Sequence, residues 1–232
     1  MSKEDSVPVI MNDEDKPQMV IIPSGIMPLT KAATYRADYS GQQVGSFEIG
    51  KYAVTLAEWV DIMDYLPHDT DKLTLNHPII NVNWYDVLRY IDKLNQRTSE
   101  QYRLPTELEW EYAARAGTSN DYHVSRDTVL DGKVINLDKN NQGPVAVGSL
   151  PPNKWGCYEM LGNVWEWVSD GGRIVLGFED ASDYELKVLR GGCWASSEFE
   201  VTLTARDEHE KATNGWSTFG FRIARSIVLE NH

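Results

Sequence analysis

Two cysteines and five histidines are the residues of this chain best suited to metal or thiol chemistry. Two thiolates held together would select a soft metal such as copper(I), or would join as a disulfide. Cys157 and Cys193 are too few for a disulfide framework. Their contexts read as two structural thiols, with pairing open if the fold brings them together. His68, His77, His123, His209 and His232 show no HxxxH or HxH spacing of a metal site. His77, before Pro78, reads as a turn residue, and His209, within RDEHEK, as a solvated loop residue. No GxSxG elbow, P-loop or GxGxxG occurs. Ser169 before Asp170 reads as strand-end polarity. The unusual stretch is YEMLGNVWEWVSD, residues 158–170, which sets Glu166 between Trp165 and Trp167 just after Asn163.

The rest of the chain must position these groups. It has 232 residues, 41% hydrophobic and 25% charged, enough for a core of ordinary size. Its net charge is −13 and its pI about 4.8. Nucleic acid is excluded as a partner, because phosphate binding needs clustered Lys and Arg. The surplus carboxylates suit cations such as calcium. No apolar run approaches the roughly 20 residues that span a bilayer, so membrane insertion is not expected. The N-terminus lacks the apolar stretch of a signal peptide. The expected location is a reducing cytoplasm or, for a protein released by lysis, a phage-type particle.

Residues 1–18 read as a flexible acidic N-terminal tail, and 19–232 as a single domain. MVIIPSG and VGSFEIGKYAVT read as strands. In TLAEWVDIMDYL, Thr55 and Glu58 predict a capping box, and Leu56, Trp59, Ile62, Met63 and Leu66 an apolar stripe. In NWYDVLRYIDKLNQRT, Asn83 predicts the cap and Val87, Tyr90, Ile91 and Leu94 the buried face. A third, shorter helix follows from Thr106 and Glu109, with Gly117 as its stop. Residues 118–157 show no periodic element. Short strands follow in NVWEWVSD, KVLRGGCW, EVTLTAR and FGFRIARSIVL. Two to three helices, short strands and long irregular loops make the expected class α+β.

YRLPTELEWEYAARAG, GCYEMLGNVWEWVSD, VLRGGCW and FGFRIAR occur in that order. Together they resemble the signature blocks of the formylglycine-generating-enzyme family, also called the sulfatase-modifying-factor domain. FEIGKYAVTLAEW and HPIINVNWYDVLRYIDKLN are similar to that family's earlier blocks. The resemblance implies a C-type-lectin-like core with large loop insertions. It also implies structural calcium. One site would use Asn163 and Glu166, the other Asn136 with the Leu137 carbonyl and Asn140 or Asn141. The residues leave another arrangement open: Asn163 bonding the backbone, Glu166 pairing with an arginine such as Arg190 or Arg222, and Asn136 simply forming a turn.

The family's oxidases work through two copper-binding cysteines beyond a GGSW motif. Here GGCWASSEFEVTLTARDEHEKATNGWSTFGFR contains no cysteine after Trp194. Cys193 takes the place of the motif's serine, and Cys157 a place where related blocks carry leucine. Formylglycine activity, copper and iron are therefore not expected. A metal-dependent oxidoreductase acting on a protein or small-molecule substrate is the alternative. The segment also resembles the variable region of retroelement-diversified ligand-binding proteins on this scaffold. That implies a non-catalytic module with a protein or glycan ligand, bound by residues 193–218. Its candidate contacts are Trp194, Ser196, Glu198, Phe199, Glu200, Thr202, Thr204, Asp207, Glu208, His209, Asn214 and Trp216. The other reading makes Val201 and Leu203 an ordinary strand and the aromatics core.

Overall fold

The computed structural model describes residues 11–29, 39–122, 135–136, 143–171, 185–197 and 200–227. Among these residues, three α-helices form where capping and apolar spacing coincide. They are α1 (Leu56–Met63), α2 (Trp84–Thr98) and α3 (Glu107–Arg115). Each starts in a reciprocal capping box: Thr55 with Glu58, Asn83 with Asp86, and Thr106 with Glu109. Asp86, not anticipated, completes the second box. α3 ends at Ala116, in the left-handed region at φ 45°, just before Gly117 at φ 87°. Leu66 lies beyond the end of α1 and is exposed, so the expected stripe stops at Met63.

Among the described residues, ten short strands accompany the helices. They are β1 (Met19–Ile22), β2 (Gly25–Ile26), β3 (Gln43–Val44), β4 (Phe47–Gly50), β5 (Tyr102–Arg103), β6 (Trp165–Gly171), β7 (Leu186–Arg190), β8 (Arg206–Lys211), β9 (Phe219–Phe221) and β10 (Ala224–Ser226). One four-stranded sheet runs β1-β4-β10-β5 and a second runs β8-β7-β6-β9, while β2 and β3 form a small ribbon. The β6–β9 pair is parallel, with Glu166 opposite Gly220. FGFRIAR is therefore two strands in two different sheets, and Arg222 and Ile223 carry the chain between them.

Two expectations are corrected. EVTLTAR is not a strand. Val201 and Leu203 are buried, but in a turn, with the Leu203 amide donating to the Asp121 carbonyl (2.8 Å). The strand is RDEHEK, so His209 is a strand residue and not a loop residue. Pairing with β7 overrides the low β-propensity of those charges. Residues 11–18 of the expected flexible tail are docked. The Met11 amide donates to the Arg97 carbonyl (2.8 Å), Lys16 pairs with Glu100 (3.0 Å), and the Gln18 carbonyl accepts from the Lys51 amide (2.9 Å). Residues 1–10 lie outside the described residues.

Tryptophans sit at the centre of two core clusters. Trp110 packs with Ile22, Phe47, Met160 and Val188. Trp59, Tyr90, Trp167 and Phe221 form the other, with the Trp59 and Tyr90 rings stacked at 5.4 Å. No helix among the described residues is long and apolar enough to cross a membrane.

Candidate functional site

The Asn163–Trp167 corner begins with a left-handed pair, Gly162 (φ 73°) and Asn163 (φ 61°). A Cβ on Gly162 would stand 2.6 Å from the Asn136 carbonyl oxygen, so glycine is required there. The Asn163 side-chain oxygen accepts from the Val145 amide (2.8 Å) and from Asn136 Nδ2 (3.3 Å). Its amide group donates back to the Val145 carbonyl (3.2 Å). Asn136 and Asn163, expected in separate metal sites, are thus neighbours that bond each other and the backbone.

Glu166 is 1% exposed and Arg222 is 0% exposed. Arg222 Nε and the Trp110 indole N–H both donate to Glu166 Oε2 at 2.6 Å, and Arg222 Nη2 donates to Oε1 at 2.8 Å. Arg222 also donates to the carbonyls of Gly50 (3.0 Å) and Tyr158 (2.9 Å). Calcium needs six to eight oxygens. Here a guanidinium fills the Glu166 carboxylate, and N–H groups fill the Asn163 oxygen. Among the described residues, no group of three or more His, Cys, Asp or Glu could hold a metal. The calcium expectation at Glu166 and Asn163 does not fit this geometry. Leu137, Asn140 and Asn141 lie outside the described residues.

Arg190 lies opposite Glu166 in the β6–β7 register, yet the two do not pair. Trp110 intervenes, with its N–H on Glu166 and its ring centroid 5.3 Å from the Arg190 guanidinium. Arg190 turns to α3, donating to Glu107 (2.9 Å) and Glu111 (2.6 Å). Glu111 also pairs with Arg115, and Glu107 with Arg206 at 2.7 Å. This buried network was missed. Its signal was the spacing of Glu107, Glu111 and Arg115, one face of α3 at intervals of four residues.

Arg206 begins β8, so the network ties that strand to α3. Beside it is a cleft of about 390 Å³ lined by Trp165, Glu200, Ala205 and residues 206–209. Of the expected contacts, Glu200, Asp207, Glu208 and His209 meet at this cleft. Trp165, not among the expected contacts, joins them. Arg206 also pairs with Glu208 (2.7 Å), and the His209 amide donates to Asp207 Oδ1 (3.0 Å). The Glu200 carboxylate accepts from the Ser197 amide (2.8 Å), which holds it below the usual carboxylate range. Trp194 and Ser196 are half-buried, and Ser196 Oγ accepts from the Cys193 amide (3.2 Å). The Thr202 and Thr204 hydroxyls are 3.3 Å apart, and Asn214 donates to Glu210 (2.6 Å). Trp216 is 55% exposed but outside the cleft. Glu198 and Phe199 lie outside the described residues.

Both thiols are free and buried. Burial pushes Cys157 up to about 11 and raises Cys193 as well. Near pH 8 only about one Cys157 in a thousand would be the reactive thiolate. Alkylation of native Cys157 by iodoacetamide is expected to run at least about a hundredfold slower than in the denatured chain, because free cysteine titrates near 8.5. Peptide mass spectrometry measures both rates. Equal rates would show an accessible thiol.

Residues 6–227 match the sulfatase-modifying factor enzyme 1-like domain. The chain belongs to that family. The formylglycine-generating enzyme of Mus musculus is 31% identical over 173 residues, 64% of this chain and 44% of the relative. The inactive C-alpha-formylglycine-generating enzyme 2 of Bos taurus is 34% identical over 168 residues, 65% and 50% of the two chains. This sulfatase-modifying-factor-type chain thus spans half or less of the length of these curated relatives. Treponema denticola variable protein 1 superposes with a TM-score of 0.76 at 22% identity, over 90% of this chain and 95% of that one. The fold is α+β, of the formylglycine-generating-enzyme type with a C-type-lectin-like core.

Proposed function

We propose that this domain is a ligand-binding module without thiol redox chemistry, and that the cleft beside β8 takes a protein or glycan ligand. The observation that supports this most is the cleft itself. It brings Asp207, Glu208 and His209 of β8 together with Glu200 and with Trp165 of β6, and the base of β8 is fixed by the buried Arg206–Glu107 pair. Such a base lets surface side chains engage a ligand, or change, without disturbing the core. The carboxylates favour a ligand with hydroxyls or positive charge, and the indole edge favours an apolar or sugar face. The buried, high-titrating thiols weigh against an oxidase that works through cysteine, such as the copper-dependent one.

A glycan array and a displayed-peptide library, probed with wild type and with Asp207→Asn and Glu200→Gln, test the proposal. Wild type is expected to select a defined set of ligands. Each variant should weaken them roughly tenfold, the loss of one charged hydrogen bond. Melting should change little, since Glu200 is exposed, Asp207 is half-buried, and the amide side chains keep an oxygen to accept from the Ser197 and His209 amides. Undiminished binding by both variants would remove the cleft from the account.

A further inference from the structure

Among the described residues, β1 has a sheet neighbour on one side only, its antiparallel partner β4. The ladder runs from Met19 opposite Gly50 to Ile22 opposite Phe47. The Lys51 amide donates to the Gln18 carbonyl (2.9 Å), one step outside the Met19–Gly50 pair. In an antiparallel ladder that bond makes Met19–Gly50 and Ile21–Glu48 the pairs without mutual hydrogen bonds. The N–H and C=O groups of Met19 and Ile21 therefore point away from β4. Neither residue makes a further main-chain hydrogen bond among the described residues.

The side chains supply an independent observation. The three most exposed large apolar residues among those described are Leu29 (77%), Ile21 (67%) and Ile26 (62%). Ile21 is in β1 and Ile26 in β2, and the two strands keep one register: Ile22 faces Phe47, and three residues on Gly25 faces Val44. They are two stretches of one outer edge, interrupted at Pro23 and Ser24. Clustered apolar exposure of this kind marks a contact surface. No residue from 19 to 29 carries a charge. Glu48, opposite Ile21, is already paired with Arg225 (2.7 Å).

We infer that this edge pairs with the same edge of a second copy, as an antiparallel two-fold dimer centred on Val20. The outward groups of Met19 and Ile21 stand two residues apart, the spacing that an antiparallel strand presents in return. With Val20 on the axis, Met19 of each copy faces Ile21 of the other, and each such pair exchanges two main-chain hydrogen bonds. The cross-strand neighbours are then all apolar, Met19 with Ile21 and the two Val20 side chains with each other. No unpaired charge has to leave water. A two-fold contact closes on itself and stops at two copies. A pairing four residues long is smaller than the interfaces of roughly 1,200–2,000 Å² that hold stable dimers, so this dimer forms and dissociates with concentration. The net charge of −13 on each copy opposes it when salt is low.

Sedimentation equilibrium of the full chain, from about 5 μM to about 1 mM, tests the inference. Wild type is expected to be half dimer near ~100 μM at ~0.15 M salt, and to associate at least roughly threefold more weakly at ~0.02 M, where the repulsion is less screened. Ile21→Lys should weaken association at least about tenfold by placing a charge in the strand pair. Ile21→Pro should do the same, because proline removes an outward N–H and no ladder bond. Ile21→Val should keep the dimer. Hydrogen exchange at the Ile21 amide should slow at least roughly fivefold between the dilute and the concentrated sample, as pairing covers it. A chain that stays monomeric at about 1 mM would overturn the inference, even one that captures some other extended peptide. So would a dimer that neither Ile21→Lys nor Ile21→Pro weakens, or an Ile21 amide indifferent to concentration. β1 and β8 belong to different sheets, so this contact and the cleft stand or fall separately.

Discussion

Glu166→Ala is expected to lower the free energy of unfolding by about 3–5 kcal/mol, the usual cost of removing one partner from a buried ion pair. The loss would come less from the missing attraction than from what remains. Arg222 would stay charged, fully buried and without a counter-ion, and the Trp110 indole N–H would lose its acceptor. Position makes the effect larger than for a pair within one element. Arg222 sits where the chain leaves β9 for β10, and it also donates to the carbonyls of Gly50 and Tyr158. One guanidinium therefore joins both four-stranded sheets and the loop before the Asn163 corner. Urea unfolding followed by tryptophan fluorescence measures the change, and a loss below about 1 kcal/mol would mean the pair is not buried as described. The same experiment addresses calcium. Chelator is expected to leave wild-type melting where it is, because Glu166 is occupied by Arg222. A chelator-induced drop would restore the ion to this corner.

Arg190→Ala is expected to cost a similar amount, about 3–5 kcal/mol, for the opposite reason. Two carboxylates would be left over-rich in negative charge, with Glu107 relying on Arg206 and Glu111 on Arg115. The Leu203 carbonyl would also lose its donor, which sits at 2.8 Å. The change should propagate to β8. A double-mutant cycle between Arg190→Ala and Arg206→Ala should show coupling of about 0.5–3 kcal/mol, since both touch Glu107. An Asp207→Asn change should instead add independently to Arg190→Ala. If Arg190 and Arg206 proved additive, the network would be a set of separate pairs.

The helices were legible because their information is local. Thr55, Asn83 and Thr106 announce starts, and Val87, Tyr90, Ile91 and Leu94 fall on one face whatever surrounds them. The ion pairs were not, because a charged residue read alone is a solvated one. Glu107, Glu111 and Arg115 gave a helical spacing, but nothing local says that this face turns inward. Glu166 had two arginine candidates. Register favoured Arg190, and the insertion of Trp110 gave the partner's place to Arg222, which no spacing rule could foresee. β8 was illegible for a related reason. RDEHEK has neither alternation nor strand propensity, and only its pairing with β7 makes it extended. Asn136 and Asn163 were each singled out, but their adjacency depends on a contact across 27 positions of chain.

Among the described residues, β8 has a sheet neighbour on one side only. An outer strand offers amides and carbonyls that can recruit another chain and seed aggregation. Every residue of β8 except His209 bears a formal charge. A second copy laid alongside would have to strip water from those charges and set many of them against their own kind. The composition that hid this strand from view also guards the molecule against sticking to itself. That protection belongs to the strand's ionic character as a whole, so single exchanges of polar side chains along it should leave the protein dispersed.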